Sequence, residues 1–196
     1  MDVKLVFALI GTALTIAAYF PYLRGIYLGD TKPHAYTWLI WCLTVGTATA
    51  GMLVGGSGLF AAGPFIIGTI LVFCVFLLSL KFGTRNITVS DTVVLLLALS
   101  AIIIWWQLDS PLLGVLMATG IDAFGYAPTY RKLWHEPWSE RVSAWVLFAV
   151  SPAFAILALH EYNVLTVLYA AMTVLANLIL IGIALIRRQY ISKPVT

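Results

Sequence analysis

Long apolar runs alternate along this chain with short polar breaks, and the runs have the length of helices that cross a bilayer. Reading for stretches of about 17–25 apolar residues predicts seven helices, near 4–25, 35–55, 61–81, 90–108, 111–132, 142–159 and 163–187. The breaks carry turn chemistry. GDTKPH (29–34) and WHEPWSER (134–141) combine charge with proline, GGSG (55–58) is a tight link, and KFGTRN (81–86) and LDSP (108–111) close other helices. The expected fold class is an all-α membrane protein, built as one membrane domain over 1–196.

Composition strengthens this expectation. Hydrophobic residues make up 62% and charged residues 10% of the chain, against roughly 45–50% and about 25% in soluble domains. No soluble fold could hide that much apolar surface, so the lipid bilayer is an expected partner. The net charge of +3 would suggest nucleic acid in a soluble protein, but here Lys and Arg sit at predicted helix ends. No nucleic-acid role is expected. Cys42 and Cys74 fall inside apolar segments, where thiols serve packing. The first run follows a single Lys4 and lacks a small-residue cleavage site, so it is expected to persist as a mature helix.

Seven spans would put the termini on opposite sides. One side would hold Arg24, Lys32, Lys81, Arg85, Arg131, Lys132, Arg141, Arg187, Arg188 and Lys193, and the other only Lys4. The positive-inside bias then predicts a cytoplasmic C-terminus and an outside N-terminus. A plasma membrane is the expected location.

Residues 12–38 and 119–145 read as two copies of one pattern. Thr12, Tyr19, Pro21, Arg24 and Trp38 recur as Thr119, Tyr126, Pro128, Arg131 and Trp145, at a constant offset of 107. Such self-similarity marks a duplicated unit. Repeat 1 would cover 1–86 with helices 1–3, a linker helix 4 would cover 87–110, and repeat 2 would cover 111–196 with helices 5–7. One odd span between two three-helix units lets both point the same way, as in transporters with parallel repeats.

The stretches YFPYLRGIYLGDTKPHAYTWLIW (19–41) and YAPTYRKLWHEPWSERVSAWVLF (126–148) each place a proline near the end of a helix. A short basic loop follows, then a helix that opens with an aromatic residue. In these features the chain resembles the PQ-loop and SWEET-like transporter superfamily, as a divergent member with Pro21-Tyr22 and Pro128-Thr129 where the family has Pro-Gln. The resemblance implies a 3+1+3 arrangement of parallel three-helix repeats with the N-terminus outside. It also implies a substrate-binding asparagine in the last helix of a repeat, which here would be Asn177. The ungapped counterpart of Asn177 in the first copy is Ile70.

Candidate chemistry follows from polar residues at membrane depth. Asp122 is the acidic residue well inside a predicted span, and a carboxyl there costs about 2.5–3.5 kcal/mol on insertion scales, so function is the default reading. It is a candidate for proton coupling and for substrate binding, with interhelical packing glue as the plainer alternative. Tyr126 lies one helical turn further on, and Thr129 or Tyr130 one turn beyond. The counterpart of Asp122 at the repeat offset is Thr15, followed by Tyr19. Tyr19, Tyr126, Asn177 and Trp145 complete the candidate binding set, with Trp38, Trp41 and Trp145 also read as interfacial anchors. Pro21 and Pro128 each remove a backbone donor from a helix, which makes them candidate hinges. Gly51 and Gly55, spaced Gly-x-x-x-Gly, are assigned to close helix packing.

The expected function is an alternating-access transporter of a small polar solute, a sugar or an amino acid, with proton coupling left open. The alternative is a membrane ligand-binding receptor of the same fold, of the KDEL-receptor kind, without solute flux. An enzyme is not expected, since there is no His-Glu-x-x-His, no clustered metal ligands and no carboxylate pair at membrane depth. No cofactor, metal or catalytic residue is assigned. The expected partners are a small-molecule solute and lipid, with homo-oligomerisation left open.

Overall fold

The computed structural model describes residues 2–28, 33, 35–83, 89–108, 110–126, 130, 133–135, 137–138 and 142–192. Its long elements are helices: α1 (Val3–Leu28), α2 (Ala35–Val54), α3 (Gly63–Phe82), α4 (Val89–Leu108), α5 (Pro111–Gly125), α6 (Val142–Ala158) and α7 (Val164–Tyr190). Among the described residues no strand occurs. Four helices, α1, α2, α3 and α7, are long and apolar enough to cross a membrane. α5 and α6 are also apolar but have only 15 and 17 residues, and in α4 the apolar run is Leu95–Ile104.

The side chains are arranged for lipid. Ile16, Phe73, Leu97, Leu116 and Leu175 are exposed, whereas Thr15, Thr44, Asp122, Ser151 and Asn177 are buried. Apolar groups outside and hydrogen-bonded polar groups inside is the distribution a hydrocarbon solvent favours. The chain is a helical membrane protein.

Local chemistry explains where the helices begin. Ser110 accepts from the Leu113 amide, with Pro111 in the first turn of α5. Asn163 and Thr166 form a reciprocal capping box that starts α7. The link between α2 and α3 turns on Gly56 and Gly58, whose φ values of 82° and 83° exclude most other residues. The His160 amide donates to the Ser57 carbonyl at 3.2 Å, tying this link to the one before α7.

Six helices start and stop within three residues of the sequence expectation, and the fifth does not. It was expected to reach 132 but stops at Gly125, where the Tyr126 amide donates to the carbonyls of Ala123 and Phe124. Tyr130 is helical again, its amide donating to the Tyr126 carbonyl at 2.9 Å. By contrast α1 continues past Pro21 without ending. Pro128 and Thr129 lie outside the described residues, as do Lys32, Arg85, Arg131, Lys132, Arg141 and Lys193.

Among the described residues, α3 packs against both α1 and α2, and α7 against both α5 and α6. The two groups join chiefly through α1 on α6 and α2 on α5, with lighter contacts of α3 on α6 and α7 on α2. α4 lies against α5 and α2. Glycines permit the closest crossings. A Cβ at Gly11 would stand 2.9 Å from Pro64 and 3.1 Å from the Ser151 carbonyl oxygen, and one at Gly51 would overlap Val115.

Candidate functional site

Where α1, α2 and α3 face α5, α6 and α7, a cavity of about 130 Å³ remains. Five of the candidate residues line it: Tyr19, Asp122, Tyr126, Trp145 and Asn177. The hinge candidate Pro21 does not, its side chain being exposed on α1.

Polar bonds cross between helices in the cavity wall. Thr15 on α1 meets Ser151 on α6 at 2.6 Å, and the Thr44 hydroxyl on α2 donates to the Asp122 carboxyl on α5 at 2.8 Å. Ser151 also donates to the Gly11 carbonyl at 2.9 Å. A hydroxyl has one proton, so Thr15 is the donor toward Ser151. Adding 107 converts Thr15 to Asp122 and Thr44 to Ser151, so the second bond occupies the first bond's place in the repeat numbering. Tyr169 from α7 lines the same cavity as this carboxyl. Asp122 is only 4% exposed, and no Lys, Arg or His is among the described lining residues.

Asn177 is fully buried. Its Nδ2 donates to the Thr173 carbonyl at 2.7 Å and to the Phe148 carbonyl and Tyr126 hydroxyl at 3.3 Å each. Two carbonyl neighbours can accept only from nitrogen, which sets the orientation of the amide. Its Oδ1 is left without a partner among the described residues. Ile70, the ungapped counterpart of Asn177, is 53% exposed and faces outward. The cavity positions on α3 are Pro64, Phe65, Gly68 and Val72, against Tyr169, Thr173 and Asn177 on α7, so α3 offers the cavity no amide.

Aromatic rings supply much of the remaining wall. Tyr19 contacts Phe148 edge-on at 5.4 Å, Phe148 contacts Trp145 at 5.8 Å, and Trp145 contacts Tyr126 at 6.5 Å between centroids. Toward the links before α3 and α7, Phe65 and Tyr169 meet at 5.8 Å within a packed cluster that includes Met52 and Leu159. Trp38, expected as an interfacial anchor, is buried with its ring 6.4 Å from Tyr19 and 5.0 Å from Trp41. Trp41 itself lines the cavity.

No family model, curated protein or solved structure matches the chain.

Sequence reasoning did not single out Thr44, Ser151, Tyr169 or Phe148. Extending the offset of 107 along helix 2 was a usable signal, because it pairs the hydroxyl of Thr44 with that of Ser151 and the ring of Trp41 with that of Phe148. Tyr169 has no such signal, since its partner across the cavity, Phe65, falls at a different offset.

Proposed function

We propose that this protein is a carrier that moves a small polar solute by alternating access, as a divergent relative of the PQ-loop and SWEET-like superfamily. The observation that carries the proposal is the pair of bonds Thr15–Ser151 and Thr44–Asp122, related by one offset and set in the wall of one cavity. The helix contacts support the same reading. Exchanging α1, α2 and α3 for α5, α6 and α7 leaves the set of contacts within and between the two groups unchanged. Two equivalent halves around one buried site are what rocking-type transport requires.

In this reading the chain has seven spans, 3+1+3, with its N-terminus outside and its C-terminus in the cytoplasm of a plasma membrane. α5, with 15 residues, covers roughly 22 Å of a hydrocarbon core about 30 Å thick. Pro21 and Pro128 are the hinges, and Asp122 binds solute or exchanges a proton.

The test is uptake of labelled sugars, amino acids and amines into proteoliposomes, with and without a pH gradient. Saturable uptake supports the proposal; binding without flux would favour a receptor instead. If Asp122 couples protons, Asp122→Asn removes any pH dependence of uptake. Pro21→Ala is expected to slow uptake at least about tenfold while binding is retained, as for a lost hinge.

A further inference from the structure

We infer that the central cavity is built for a small organic cation with N–H donors, a primary or secondary ammonium, in preference to a sugar or an amino acid. This rests on the carrier reading for what the site does, and on the lining alone for what it holds.

Size comes first. A cavity of about 130 Å³ is close to the roughly 150 Å³ engineered cavity that holds benzene. That suits a solute of about six non-hydrogen atoms and is small for a hexose.

Charge is the second constraint. Asp122 is buried, bonded to the Thr44 hydroxyl from α2, in a cavity also lined by Tyr19, Tyr126 and Tyr169. Among the described residues no cationic side chain lines the cavity to balance it. A buried carboxylate without a counter-ion is strongly disfavoured, so the site calls for a proton or a cationic solute. A sugar brings no charge to balance it. An amino acid brings an ammonium together with a carboxylate, and that carboxylate would meet no Lys, Arg or His among the described lining residues.

The third constraint is the wall. Tyr19, Trp41, Tyr126, Trp145, Phe148 and Tyr169 surround the space, and aromatic rings attract cations through their negative faces, most strongly where water is excluded. Asn177 adds an acceptor. Its Nδ2 is committed to two carbonyls and a hydroxyl, whereas its Oδ1 is buried and has no partner among the described residues. An ammonium N–H supplies the donor that such an orphan acceptor lacks.

The experiment is isothermal titration of the full chain in detergent with the n-alkylammonium series from methyl to hexyl, alongside tetramethylammonium, alanine and glucose. We expect saturable binding of at least one alkylammonium, at least about tenfold tighter than alanine or glucose, and tighter than tetramethylammonium, which has no N–H. Asp122→Asn should weaken that binding at least about tenfold, and Asp122→Glu should restore part of it. Trp145→Leu, which leaves the carboxyl in place, should weaken it as well and serves if the Asp122 variants do not fold. Failure of every alkylammonium to saturate overturns the inference. So does glucose or alanine binding as tightly as the amines, or unchanged amine affinity in folded Asp122→Asn. Amine binding without flux would sink the carrier reading and leave this one standing; glucose flux without amine binding would do the reverse.

Discussion

Asp122 and Thr44 hold α5 to α2 through a bond that lies in the cavity wall, so one interaction serves both packing and the site. Interhelical hydrogen bonds in membrane proteins average about 0.6 kcal/mol, with a maximum near 1.7. Thr44→Val, which keeps the shape and removes the hydroxyl, is expected to cost about 1 kcal/mol in denaturant-induced unfolding of the detergent-solubilised protein. Thr47→Val is the control, since the Thr47 hydroxyl bonds back to its own helix at the Leu43 carbonyl, and should change stability by less than about half that amount. Asp122 and Asn177 were legible in the sequence because a carboxyl or an amide at membrane depth needs a reason. Thr44 and Ser151 were not, because a hydroxyl in a helix can satisfy itself on its own backbone, as Thr47, Thr49 and Thr173 do. Only the neighbouring helix decides which hydroxyls turn across.

At the scale of elements, the crossing of α2 and α5 depends on an absent side chain. Gly51 meets Val115 so closely that an added methyl overlaps it, whereas a methyl at Gly46 would find its nearest neighbour, Thr69, at 3.8 Å. Gly51→Ala is therefore expected to destabilise the protein by about 1–3 kcal/mol, and Gly46→Ala to leave it unchanged or slightly stabilised. Melting of the two variants under one set of detergent conditions checks this, and equal effects would count against the crossing. Element boundaries followed from apolar run length and from caps such as Ser110 and Asn163. The early end of α5 did not follow. Its proline and the matched proline of α1 look alike as letters, yet α1 runs through Pro21 while α5 stops at Gly125. Run length does not carry that difference.

For the whole molecule, the ten-to-one division of Lys and Arg is a statement about orientation. A fluorescent protein fused after Thr196 is expected to light up in the cytoplasm, and a periplasmic alkaline phosphatase fused there to stay inactive. The reverse result would invert the bundle and with it the side to which the basic loops belong.

The sequence by itself determined the solvent and the elements, because apolar run length and charge placement act locally along the chain: helices for lipid and polar breaks between them. It also marked Asp122 and Asn177. Tertiary structure alone decided which surfaces meet: that Thr15 faces Ser151 as Thr44 faces Asp122, and that Trp145 and Trp41 turn inward. The physical reason is that every face of a lipid-solvated helix reads as apolar. The side that turns inward is therefore chosen by shape and by a few hydrogen bonds between helices, which hydropathy along the chain does not encode.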